Sequence, residues 1–169
     1  MTIKLIGILL VAISFGIVGF ILASNVKKEI CYLRDFIDIL DYAECELNFR
    51  LPPLPYLCDS VAQKGKLLSL IFTSLAYELN NQVLPDVARC MEAAISSHPE
   101  TPYMIRELLL DFGYSLGKFD LQGQLITLNA IRQKCKNLLS EREANKHNRI
   151  RCYQTFGICA GMIITILLL

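Results

Sequence analysis

The chain has 169 residues, of which 53% are hydrophobic and 20% charged, with 17 basic against 16 acidic side chains and no tryptophan. So much apolar content at so small a net charge excludes a disordered chain, a collagen-like fibre and a basic nucleic-acid binder, and no nucleic-acid partner is expected. The apolar residues are unevenly placed, and their position decides what they mean.

After a short tail, residues 1–4, the segment 5–26 holds 22 residues without an ionisable side chain, between Lys4 and the pair Lys27–Lys28. As a helix it reaches about 33 Å, enough for a bilayer's hydrocarbon core. At the other end, residues 152–169 supply 18 more after Arg149 and Arg151, reaching about 27 Å. All 16 acids and all bases except Lys4 lie between 27 and 151, a stretch the size of one domain. Lys27, Lys28 and Arg34 follow the first segment, and Arg142, Lys146, Arg149 and Arg151 precede the second. The bias of lysine and arginine toward the cytoplasmic side places the middle domain in the cytoplasm, between two transmembrane helices of a multi-pass protein. The competing reading is a cleaved signal peptide with a site near Ala23. Its apolar run is longer than the usual core of about 7 to 15 residues, which favours a retained anchor.

Within residues 27–151, Ile30, Leu33, Ile37, Leu40 and Leu47 recur at helical spacing with Glu44 in the missing place, a helix with one narrow apolar stripe. It ends before Leu51-Pro52-Pro53-Leu54-Pro55. Leu54, Leu57, Cys58 and Val61 give a short second helix closed by Gly65. A third, from about Lys66 to Asn80, carries Leu67, Leu68, Ile71, Phe72, Leu75 and Leu79. Pro85 suits the first position of a fourth, with Val87, Cys90, Met91, Ala94 and Ile95 on its apolar face as far as Ser97. Thr101 as N-cap and Pro102 in the first turn open a fifth helix that buries Ile105, Leu108, Leu109, Phe112 and Leu116 and stops at Gly117.

Asp120 then caps a last helix starting near Leu121, with Leu125, Leu128, Ile131, Cys135 and Leu138 at helical spacing and no proline or glycine between Gln124 and Phe156. One helix is therefore expected to run on from the domain into the second span. No stretch alternates with period two, so the fold class is all-α: a membrane-anchored cytoplasmic bundle of about six helices flanked by two transmembrane helices. Residues 132–151 hold seven bases and two acids, a balance of +5, which leaves −5 for residues 27–131. The basic stalk, with Lys27, Lys28, Arg142, Lys146, Arg149 and Arg151, is suited to anionic lipid head groups.

Chemistry is sparse. The seven cysteines, at 31, 45, 58, 90, 135, 152 and 159, include no CxxC, and only His98 and His147 could join them. No metal site, cofactor or disulfide framework is expected from that spacing. There is no nucleophile motif, and Lys64-Gly65-Lys66 lacks the pattern of a phosphate-binding loop, so no enzymatic role is expected. His98 reads as a helix-end residue and His147 as part of the stalk. Gly157 and Gly161 form GxxxG in the second span, and Ala12, Gly16, Gly19 and Ala23 line the first, positions where membrane helices could pack closely.

Taken in order, these features resemble the stage III sporulation protein AB family. Phe112-Gly113, Leu116-Gly117, Asp120, Gln124 and Leu128 match that family's FG, LG, D and Q positions, and Leu40, Glu44, Glu46, Pro53, Leu54 and Ala62 resemble its first-helix and turn pattern. The resemblance spans essentially the whole chain. It implies a protein of the mother-cell membrane around the forespore, within the channel or feeding-tube assembly that sustains late forespore gene expression. The family's cytoplasmic domain is similar to that of the inner-membrane platform proteins of type II secretion and type IV pilus machines. By that analogy the partners would be other stage III proteins, among them a secretion-type ATPase and ring-forming membrane proteins.

On this reading the chain is a non-enzymatic scaffold. Gly117, Asp120 and Gln124 are a candidate docking surface or simply a structural turn, because C-cap and N-cap roles explain the first two without a partner. Glu44 and Glu46 are a candidate acidic interaction face. The alternative is a lipid-binding or membrane-remodelling module acting through the basic stalk and the two spans.

Overall fold

In the computed structural model the chain from Thr2 to Phe49 is a single helix, α1. The structure describes residues 2–81, 86–116 and 121–168. Its side chains are described within 24–146 and, outside that range, at Ile21, 148–152, Thr155, Cys159 and Ile163. Six helices and no strands are present among the described residues: α1, α2 (Leu54–Lys64), α3 (Ser69–Asn81), α4 (Val87–Ser96), α5 (Tyr103–Ser115) and α6 (Leu121–Leu168). The all-helical bundle expected from the periodicity is the fold found. The last helix is unbroken to Leu168, as the lack of proline and glycine implied.

The first helix buries more than a narrow stripe. Besides Ile30, Leu33, Ile37, Leu40 and Leu47, it places Phe36, Ile39 and Ala43 in the core. Two adjoining apolar rows make a face broad enough to receive more than one neighbour. It closes with the Arg50 N–H donating to the Glu46 carbonyl at 2.9 Å. Leu51 then adopts the left-handed region at φ 47°, and Pro52 follows. Left-handed residues commonly end helices, but a leucine there costs about 1–2 kcal/mol relative to glycine.

Three helix starts differ from expectation by one to three residues. Lys66, Leu67 and Leu68 stand outside α3, because their N–H groups are captured by the carboxylate of Asp35 on α1. Leu67, expected on the buried face, is 45% exposed in consequence. The first residue of α4 is Val87, with Asp86 as its N-cap accepting from the Ala88 N–H at 3.5 Å; Pro85 lies outside the described residues. The N-cap of α5 is Pro102, which has no side-chain acceptor to offer. Thr101, expected in that role, is buried, and its carbonyl accepts from Nε of Arg106 at 2.9 Å.

The chain divides into two compact units, Cys31–Leu139 and the pair Met1–Ile30 with Ser140–Leu169. At the centre of the first unit, Phe112 of α5 meets Phe36 of α1 and Phe72 of α3 edge-on, with ring centroids 6.0 and 5.7 Å apart. Such edge-to-face contacts add to the stabilisation from area burial. Leu128, Ile131 and Cys135 of α6 complete this core. In the second unit, Arg142 of α6 pairs with Glu29 of α1 at 3.4 Å. Among the described residues no helix is long and apolar enough to cross a membrane. The two segments expected to do so, residues 5–26 and 152–169, lie in α1 and α6, where most side chains fall outside the described residues.

Candidate functional site

The expected turn between the fifth and sixth helices is bounded by Leu116, whose N–H donates to the Phe112 carbonyl at 3.2 Å, and by Leu121. Gly117 and Asp120 lie outside the described residues, while Gln124 is half-buried in the first turn of α6. Between them, α5 and α6 form an open groove of about 470 Å³ lined by Asp111, Tyr114, Thr127, Ala130, Ile131 and Lys134. It is crossed by an ion pair between Lys134 Nζ and Asp111 Oδ2 at 2.8 Å. The hydrogen bond to Asp111 raises the lysine's pKa against the opposing effect of burial, so Lys134 is held as a cation. Ile126, 71% exposed on α6, adds apolar surface near this end of the helix.

Glu44 and Glu46 are drawn into contacts within the bundle. Arg132 of α6 reaches across to α1, meeting Glu44 Oε2 at 2.5 Å and Asp41 Oδ1 at 2.8 Å. Its pKa is raised, first by the hydrogen bond to Asp41 and then by the charge of Glu44. Glu46 lies 3.9 Å from Arg50, just past the end of the same helix. It also accepts from the hydroxyl of Tyr42, whose pKa is raised by burial and by that bond. The ammonium of Lys64 stands 5.6 Å from the Tyr42 ring centre, a cation–π contact that joins α2 to α1. Thus Glu44 fills a gap in an apolar stripe because it is the partner of a cation on the facing helix.

The stalk residues divide by exposure. Lys27, Lys28 and Arg151 are open to solvent, Lys146 and Arg149 are half-buried, and Arg142 pairs with Glu29. Gly16, Gly19, Gly157 and Gly161 belong to helical backbone whose packing lies outside the described residues. His98 sits at the C-terminal end of α4, with Nδ1 2.9 Å from the Ala94 carbonyl oxygen. All seven cysteines are free, with Cys58, Cys90 and Cys135 buried. Among the described residues no group of three or more histidine, cysteine and acidic side chains could hold a metal ion.

The most constrained polar residue went unnoticed in the sequence. Asp35 is 6% exposed, and its two oxygens accept four hydrogen bonds of 2.8–3.1 Å from the N–H groups of Lys66, Leu67 and Leu68. These are the donors of the three residues that lead into α3, so a carboxylate on α1 fixes the turn before that helix. The available signal was Asp35 itself, an acid set at helical spacing between Tyr32 and Ile39.

What this arrangement offers is shape and charge for contacts with other molecules. No curated protein matches the chain. A solved structure described as Stage III sporulation protein AB (SpoIIIAB) matches with a TM-score of 0.60 at 18% identity, covering 68% of this chain and 93% of its own, a likeness of fold. The family model described as Stage III sporulation protein AB matches residues 4–169, and the chain belongs to that family.

Proposed function

We propose that the chain is a membrane-anchored, non-enzymatic scaffold of the stage III sporulation channel. In this role residues 5–26 and 152–169 span the mother-cell membrane around the forespore and the bundle lies in the cytoplasm. There the bundle connects a secretion-type ATPase to ring-forming membrane proteins. The observation that carries the reading is membership of the sporulation family over residues 4–169, a length that includes both apolar ends. In support, α6 belongs to both compact units, so a partner bound to the bundle is joined to the basic stalk by unbroken helix. The groove between α5 and α6 is the favoured docking surface, because Tyr114 and Ala130 are exposed in it beside the Lys134–Asp111 pair.

The test is co-purification from sporulating cells, using tagged full-length protein and a version lacking residues 152–169. Recovery of the ATPase and ring proteins supports the scaffold, and the shortened form shows whether the second span is part of the assembly. Recovery of lipid alone from well-folded protein overturns it.

A further inference from the structure

Where the basic stalk enters the apolar end of α6, the helix presents one continuous exposed row. Asn148, Cys152, Thr155 and Cys159 follow one another at intervals of four, three and four residues, and Ile163 continues the row; all five are exposed. Residues so spaced share one helix face. Along the upper part of that face runs a groove of about 470 Å³ lined by Asn148, Arg151, Cys152, Thr155 and Cys159, a volume within the range of small-ligand clefts.

The two ends of the groove differ in chemistry. At its mouth, Arg151 is exposed and has no ion-pair partner among the described residues, and Asn148 brings an amide beside it. Lys146 and Arg149, within two helical turns before it, add positive charge. Farther along, the wall loses its polarity. The Thr155 hydroxyl already donates to the Arg151 carbonyl at 2.8 Å, so its proton is spent on the helix. Cys152 and Cys159 are free thiols, which behave as small apolar groups. A cationic, hydrogen-bonding head above an apolar trough matches a ligand with a phosphate at one end and hydrocarbon at the other.

We propose that this groove seats one anionic phospholipid, its phosphate against Arg151 and Asn148 and an acyl chain along Cys152, Thr155 and Cys159. A second copy of the same helix is a poorer occupant, because it would set Arg151 and its basic neighbours against the same charges. The proposal rests on the reading that residues 152–169 enter the membrane, and it adds that the contact selects lipid by charge at a particular site.

The test uses full-length protein in a neutral detergent, with phosphatidylglycerol and phosphatidylcholine of identical acyl chains added together and bound lipid read by native mass spectrometry. Phosphatidylglycerol is expected to be retained in preference, at least fivefold. Arg151→Gln is expected to abolish that preference, Thr155→Phe to displace both lipids by filling the trough, and Arg89→Gln, exposed on α4 and outside the basic stalk, to change nothing. Circular dichroism of equal strength across the variants establishes that they are folded. Equal retention of the two lipids by the wild type, or an Arg151→Gln variant no different from Arg89→Gln, overturns the proposal. So does efficient Cys152–Cys152 cross-linking of two chains by mild oxidation in native membranes, which puts a second copy on this face. Alkaline carbonate extraction separates the two levels: release of the wild type from membranes sinks the membrane reading itself, whereas retention without lipid preference sinks only the groove.

Discussion

Oδ2 of Asp35, in the middle of α1, accepts a hydrogen bond from the backbone N–H of Leu68, 33 residues away, at 2.9 Å. The same oxygen takes the N–H of Leu67 at 2.8 Å, and Lys66 is held by both oxygens. Buried donors left without acceptors cost about 1–3 kcal/mol each, and bonds to a charged group lie at the upper end of the range for single bonds. Asp35→Ala should therefore destabilise the protein by about 3 kcal/mol or more. Asp35→Asn keeps one acceptor oxygen but turns an NH₂ toward N–H groups, and should recover less than half of that. Asp38→Ala, exposed on the same helix, should stay within about 0.5 kcal/mol. Urea unfolding of the full chain followed by circular dichroism decides the matter, and equal effects at positions 35 and 38 would refute this anchoring role.

A close approach explains one pair of residues in the family pattern. A Cβ placed on Gly113 would lie 2.8 Å from Cβ and 3.1 Å from Cγ of Met91 on α4. Alanine is favoured over glycine by about 1 kcal/mol inside a helix. Overpacking a filled core costs about 1–3 kcal/mol, and Cβ of Met91 is fixed to its backbone and cannot swing aside. The collision should win, so Gly113→Ala is expected to destabilise. Combined with Met91→Gly, which removes that Cβ, it should cost less than the two single changes added together. Thermal unfolding of the four proteins measures this coupling, and strict additivity would show that α4 and α5 do not meet at these residues.

These two cases mark where reading the sequence succeeds and where it stops. Helical spacing located five of the core faces, because burial in a bundle repeats every three or four residues, and Phe112, Ile131 and Cys135 lie where that rule puts them. Asp35 escaped because a periodicity rule scores an acid as a surface residue and knows nothing of donors 31 to 33 residues away. For the same reason spacing alone starts α3 at Lys66, the first of the three residues whose N–H groups Asp35 holds. Glu44 was visible as an interruption of a stripe, but its partner Arg132 stands 88 positions later and nothing local links them. The groove between α5 and α6 and the one along the stalk arise from which side chains are small beside which are long, a property of packing that spacing alone does not show.

The contact between α1 and α6 through Arg132 should be modest in energy and sensitive to salt. Arg132 and Glu44 remain about a quarter exposed and Asp41 about half, so solvent screens much of their attraction, and exposed pairs typically contribute about 0.2–1 kcal/mol. A double-mutant cycle on Arg132→Ala and Glu44→Ala is expected to return a coupling of about 1 kcal/mol, falling as ionic strength rises. Coupling near zero at low salt would show that the geometry is not held in solution. Glu44→Gln adds a functional test. If this acid serves only the bundle, the variant should keep its partners in pull-downs from sporulating cells.

Thiol chemistry distinguishes the buried from the open cysteines. Burial pushes the thiols of Cys58 and Cys135 up to about 12, against an ordinary value of 9.0, and raises Cys90 in the same direction. At neutral pH all three should be protonated and shielded, so a thiol reagent added to native protein should modify the exposed Cys31 and Cys45 rapidly and leave positions 58, 90 and 135 intact. Denaturant should release them. The sign of the pH dependence follows from the same shift. Between pH 9 and 12 the unfolded chain has lost protons that the fold still holds, so alkali favours the unfolded state. The contribution of these thiols is complete below pH 9 and is lost as pH rises toward 12. Cys58→Ala with Cys135→Ala should flatten the decline of stability above pH 9, while costing some packing at every pH. An unchanged alkaline slope in that double variant would mean that other groups, such as the tyrosines, govern it.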